Sequence, residues 1–210
     1  PYRGQQFGYA EAGAQAEEEK QMPWIAVDRF GRRFMNEWPV ACADTPMREL
    51  EYYDFEILGY PRIPCYLIFD EEGRKRGPIG DPSINDEKLV GFEWSEDNLA
   101  EVDKGYIVRK ESIQAIAAHW GLDPKTLVDS VERWNSNCER GVDPDQGRTS
   151  ATMMPIKAAP FYSIQAWPVV SNTQGGPVHD ASFRILDPYG DPIPRLYEAG
   201  ELGCIWGHVY

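Results

Sequence analysis

Apolar residues recur at helical spacing twice in the second half of the chain. In segment 111–120, Ile113, Ile116, Ala117 and Trp120 share one face, and Gly121 stands where a helix C-terminus favours glycine. Asp123-Pro124 then opens a second helix that carries Leu127, Val131, Trp134 and Cys138 at the same period. Both stripes are expected to face the core. The run WIAV at 24–27 reads as a strand, Asp28-Arg29-Phe30-Gly31 as a hairpin turn, and Arg33-Phe34-Met35 as its return strand. CYLIF at 65–69, bounded by Pro64 and an expected turn Asp70-Glu71-Glu72-Gly73, reads as a buried strand. Thr45-Pro46 predicts a helix start running towards Leu58, with Gly59 as its stop.

Elsewhere the pattern is weaker. Residues 1–22 are rich in Gly, Ala and Glu without apolar period and read as a peripheral arm. Residues 74–104 read as a polar loop holding one short helix. From Phe161 onward short strands alternate with turns: YSIQAWPVV, then ILD, the turn 187–190, and RLYEAGE. No βαβα alternation is present, so the fold class is α+β.

Composition narrows the function class. Seven Trp, eleven Tyr and eight Phe in 210 residues argue for a packed core and against disorder. The net charge of −13 disfavours a nucleic-acid or anionic-membrane partner, since both need a basic face. No apolar run reaches the ~20 residues of a spanning helix. Cys42, Cys65, Cys138 and Cys204 form no C-x-x-C pair, and His119, His179 and His208 fall in different elements, so no metal site is expected. His119 reads as a helix-end residue and His179 as a turn residue. The chain opens on Pro1 rather than Met and leaves localisation open.

Three segments match recognisable motif patterns. Gly31-Arg32-Arg33-Phe34-Met35-Asn36-Glu37 fits G-[KR]-R-F-x-N-E. Trp134-Asn135 and then Gly141-Val142-Asp143, ending at Arg148, fit Y-N … G-x-D-x-x-F-x-R. Thr173-Gln174-Gly175-Gly176, Asp180, Ile193-Pro194 and Leu196-Tyr197-Glu198-Ala199-Gly200-Glu201 are similar to T-x-G-G … D … G-x-x-I-P-G-L-Y-A-A-G-E, with Glu198 at an Ala position. In this order the three resemble the FAD-dependent fumarate reductase, succinate dehydrogenase flavoprotein and 3-ketosteroid dehydrogenase superfamily over roughly residues 24–210.

The resemblance implies a capping, substrate-binding domain over 1–172 and a β-rich return of the FAD-binding domain over 173–210. It gives Gly175, Gly176, Ala199, Gly200 and Glu201 to the flavin: backbone approach to the ring at the glycines, sugar hydroxyls at the Glu. On spacing alone the same glycines suit a plain hairpin. Asn172 and Thr173 would face the substrate. The family's dinucleotide-binding half, with its G-x-G-x-x-G, has no counterpart here, so the sequence is expected to be a piece of a longer enzyme that alone does not retain FAD.

The catalytic positions depart from the fumarate reductases. Their proton-donating Arg falls at Ala41, their substrate His at Asn172 and their second carboxylate-binding Arg at Tyr210. A dicarboxylate would meet no cationic clamp. Gly207-His208-Val209-Tyr210 instead resembles the ketosteroid dehydrogenases' G-x-x-Y, whose phenol polarises a ketone oxygen. Their base tyrosine, however, also falls at Ala41. The resemblance thus implies hydride transfer between flavin and a C–C bond activated by a carbonyl, on an enone or enoate. Rival readings are a fumarate-reductase-like enzyme with altered substrate and a non-catalytic module on the same scaffold.

Overall fold

The computed structural model describes residues 21–37, 47–79, 94–167, 175–200 and 202–203. Ala41, Thr45, Pro46, Asn172, Thr173, Glu201, His208 and Tyr210 lie outside the described residues, as do Cys42 and Cys204. The chain divides into two compact units, Pro1–Val169 and Val170–Tyr210.

The first unit is built on an antiparallel sheet of order β1-β2-β4-β3, formed by β1 (Ile25–Val27), β2 (Cys65–Asp70), β3 (Val108–Lys110) and β4 (Phe161–Ala166). β2 is central, pairing Ile68 with Ile25 on one side and Leu67 with Ile164 on the other. Every residue of β2 is buried. The reason is that both faces of the sheet are covered. Cys65, Leu67 and Phe69 pack with Trp24, Ala26 and Ile164, while Tyr66 and Ile68 pack with Ile25, Val27 and the helical stripes. A strand covered on two faces reads as a continuous apolar run. Each such side chain contributes roughly 1.5–3 kcal/mol of burial.

Helices α3 (Ile113–Trp120) and α4 (Pro124–Arg140) cover the second face. Asp123 caps α4 as expected, its Oδ1 accepting from Thr126 N at 2.7 Å, while α3 begins later than expected, with Ser112 Oγ accepting from Ala115 N at 3.2 Å. Ile113, Ile116, Ala117, Leu127, Val131 and Trp134 are buried as their spacing requires, and Trp120 and Cys138 are partly so. Two further helices are short, α1 (Glu71–Arg74) and α2 (Leu99–Asp103).

Several expectations need correction. The helix towards Leu58 stops after a 3-10 segment, Met47–Glu51. Beyond it the Asp54 carboxylate accepts from Glu56 N at 2.8 Å, and the backbones of Asp54 and Gly59 bond each other. That local side-chain acceptor competes with helix propagation. The turn 70–73 is instead α1, because Asp70 Oδ1 caps Gly73 N at 2.9 Å. The return strand at 33–35 reduces to one antiparallel bridge, Val27 to Arg33. Strand β3 was not expected at all. Met22, at the end of the segment read as an arm, is buried, and its N–H donates to the Thr152 carbonyl at 3.0 Å.

The second unit contains an antiparallel pair, β5 (Arg184–Leu186) and β6 (Pro192–Tyr197), with a register shift between Arg184 and Leu186. The turn 187–190 closes as expected through Gly190 N to Asp187 O at 3.0 Å. All six residues of β6 are exposed.

Candidate functional site

In the second unit, the two glycine turns given to the flavin lie at one edge. Gly203 N donates to the Gly175 carbonyl at 2.9 Å, and Gly175 bridges Leu202 in parallel. Gly176 has φ +149, and a Cβ there would lie 2.7 Å from Gly203 N. Glycine at 176 is therefore required by the chain's own backbone approach. Gly175 and Gly200 differ: both have positive φ, yet a Cβ on either would meet nothing within 4 Å. Their backbones present an open face. Ala199 beside them is exposed.

His179 is more than the turn residue the sequence suggested. Its Nδ1 lies 2.9 Å from the Asp180 carbonyl and its Nε2 2.9 Å from the Gly203 carbonyl. The Glu198 carboxylate, with its side chain 1% exposed, lies 3.0 Å from the same Nε2. His119, by contrast, stands at the end of α3, its ring edge-on to Trp120 at 4.7 Å.

The other two motifs meet in the first unit as a charge network. Glu37 takes Arg33 through both oxygens, at 2.8 and 2.7 Å, and also accepts from Ala26 N at 3.0 Å. Arg33 reaches on to Asp143 at 2.9 Å. Arg148 donates to Glu37 at 3.3 Å and to the carbonyls of Trp24, Met22 and Thr152. The Trp134 ring stands near both guanidinium groups, 4.5 Å from Arg33 and 4.9 Å from Arg148. Burial opposes the charge on Arg33, but Glu37 and Asp143 outweigh it and raise its pKa. For Arg148 burial prevails and the pKa falls, with Glu37 offsetting part of it. Asn135 clamps Ile156 with both amide atoms, at 2.9 and 2.7 Å. These motif residues are committed to architecture. A cleft of about 290 Å³ beside α4 holds Arg32, Arg33 and Arg133, but each is paired, with Asp28, Glu37 and Asp145 respectively. Among the described residues it has no free cation for an anionic ligand.

The sequence matches the family described as FAD binding domain over residues 12–210. The chain belongs to this FAD-binding family. Within it the chain falls in the fumarate reductase and 3-ketosteroid dehydrogenase superfamily of flavoproteins. It is 43% identical over 189 residues to digoxin reductase of Eggerthella lenta, covering 87% of this chain and 29% of that protein. Urocanate reductase of the same organism is 33% identical over 136 residues, 65% of this chain and 20% of that protein. The solved 3-ketosteroid Δ1-dehydrogenase of Sterolibacterium denitrificans, in complex with 1,4-androstadiene-3,17-dione, superposes with TM-score 0.63 at 24% identity. That likeness covers 92% of this chain and 35% of that one, and it establishes the fold. The chain thus spans less than a third of the two curated reductases.

FAD is the cofactor that membership in the FAD-binding family carries. The open faces at Gly175 and Gly200 suit a planar ring lying against backbone, since no Cβ stands in the way. No G-x-G-x-x-G occurs in the sequence to cradle a pyrophosphate, so the residues present fit one side of the group. The pairing that sequence reasoning missed is His179 with Glu198. Its one sequence signal is the carboxylate at 198, where the family pattern has Ala.

Proposed function

We propose that this chain is the capping, substrate-binding domain (1–172) and the first return of the flavin domain (173–210) of an FAD-dependent oxidoreductase. The enzyme transfers hydride between flavin and a C–C bond activated by a carbonyl, and its substrate is an enone or enoate. What carries the reading is the family match over 12–210 together with the open glycine turns. The relatives support the substrate class: a digoxin reductase, a urocanate reductase and a 3-oxosteroid 1-dehydrogenase. FAD, when bound, supplies the acceptor or donor of the hydride.

The chain's own part is to hold and orient. Gly175, Gly176, Ala199 and Gly200 set backbone against the ring, and Glu201 takes the sugar hydroxyls. Asn172 and Thr173 face the substrate. Tyr210 donates a hydrogen bond to the ketone oxygen as charge develops there; a phenol does this while neutral. The exposed Phe183, just before β5, and Ile193, Leu196 and Tyr197 of β6 are an apolar surface for the remainder of the flavin domain.

Flavin content tests the division. The full-length protein should purify with stoichiometric FAD, and the 210-residue chain without it. Stoichiometric flavin on the short chain, or a colourless full-length protein, would overturn the reading.

A further inference from the structure

We propose that His179, held as an imidazolium between the Glu198 carboxylate and the carbonyls of Asp180 and Gly203, is the clasp that fixes Glu198 and Gly203 against Gly175 and Gly176. It thereby positions the glycine turns that face the flavin. The clasp follows from geometry alone; its consequence for flavin rests on the function proposed above.

Three observations converge on His179. Both ring nitrogens lie 2.9 Å from carbonyl oxygens, which only accept. A neutral imidazole has one N–H and would leave one of these contacts as lone pair against lone pair. The protonated ring satisfies both. Second, the Glu198 carboxylate is buried, and among the described residues neither oxygen finds a hydrogen-bond donor; the Nε2 hydrogen is directed at Gly203. A carboxylate so placed needs a cation beside it, and His179 is that cation. Third, a Cβ at Gly203 would overlap the Glu198 carboxylate, so glycine at 203 is what admits it.

The remaining charges around His179 do not compete for this role. Asp180 directs its carboxylate away, accepting from Arg184 Nε at 2.7 Å and from the Ser182 and Arg184 backbone. Phe183 stacks on the imidazole at 5.6 Å and brings no charge. The carbonyls of Asp180 and Gly203 raise the His179 pKa, with Glu198 and Asp180 adding to the shift. The sign follows. A group whose pKa is raised on folding contributes fully below its unfolded value and loses the contribution as pH climbs through the folded value. On the alkaline side the ring drops one carbonyl and leaves Glu198 buried without a cation.

The experiment uses the full-length holoenzyme and two readouts that do not depend on turnover. Exchange of the His179 C2 hydrogen, followed by mass spectrometry against pH, should give a pKa above 6.5, lowered in Glu198→Gln. Backbone amide exchange over 198–203 should quicken roughly tenfold in His179→Gln, the scale of one lost charge-assisted bond. FAD retention should weaken with rising pH in the wild type, and that slope should flatten in Glu198→Ala, which strands no carboxylate. A His179 pKa at or below 6.5, or unchanged amide exchange in His179→Gln, would overturn the clasp. Faster exchange with FAD retention unaltered would overturn its positioning of the flavin. A full-length protein without flavin would refute the proposed function, while the two exchange measurements would still decide the clasp.

Discussion

Arg148 and Glu37 meet 3.3 Å apart, and neither side chain exposes any surface. The two residues close the second and first family motifs and are 111 positions apart in sequence. Their contact ties β1, through Ala26 N and the Trp24 carbonyl, to the segment after α4. Without Arg148, Glu37 keeps Arg33 but loses one of its two cations, and the buried carbonyls of Met22, Trp24 and Thr152 lose their guanidinium donor. Arg148→Met should therefore cost about 3–5 kcal/mol. Urea denaturation followed by tryptophan fluorescence measures it, and a loss under about 1 kcal/mol would contradict the account.

Gly31 faces a second constraint at the same corner. Its φ is +84, and a Cβ would lie 3.1 Å from the Leu127 backbone nitrogen. Gly31→Ala combines backbone strain with a forced shift of α4 and should lose about 1–3 kcal/mol. Gly121→Ala, where a Cβ meets nothing within 4 Å, should lose less. Paired thermal melts decide between them; equal losses would mean the close approach carries no weight.

Acid stability has an identified contributor. Arg74 bonds both oxygens of Glu71, and with Tyr162 it pulls the Glu71 pKa from 4.5 to about 2. A lowered carboxylate pKa contributes stability above pH 4.5, and this is lost as pH falls towards 2. Glu71→Gln should be less stable at neutral pH and show a shallower decline between pH 4.5 and 2. Denaturant midpoints across that range check it.

Much of this was legible because periodicity and capping are local. The stripes of α3 and α4, the Asp123 cap, the Gly121 stop and the apolar run of β2 needed no partner to be read, whereas the Ser112 cap of α3 was missed. What failed depended on competition or distance. Asp54 stops the expected helix by accepting from its own loop, and β3 is three residues, half-buried Val108 and Lys110 about an exposed Arg109, ordered by pairing with β4. The motifs around Arg33 and Arg148 were recognisable as text, but their shared carboxylate is a tertiary fact. Likewise His179 looked like punctuation until Glu198 and Gly203 stood beside it.

Tyr210 is the sharpest catalytic proposal. Losing one donor to a developing oxyanion typically slows turnover about 100–1,000-fold. Tyr210→Phe in the full-length enzyme should do so with flavin content and folding unchanged, while His208→Gln should have a smaller effect. Steady-state turnover with the best enone or enoate reports both. Near-wild-type rates for Tyr210→Phe would reduce it to a wall of the site.

The most direct test of the proposed function is anaerobic reoxidation. The full-length protein, its flavin reduced, is mixed with an enone, an enoate or fumarate, and the flavin absorbance is followed. With Ala41, Asn172 and Tyr210 in place of a dicarboxylate clamp, the enone or enoate should reoxidise the flavin stoichiometrically and fumarate should not. Reoxidation by fumarate at a comparable rate, or by none of the three, would contradict the account.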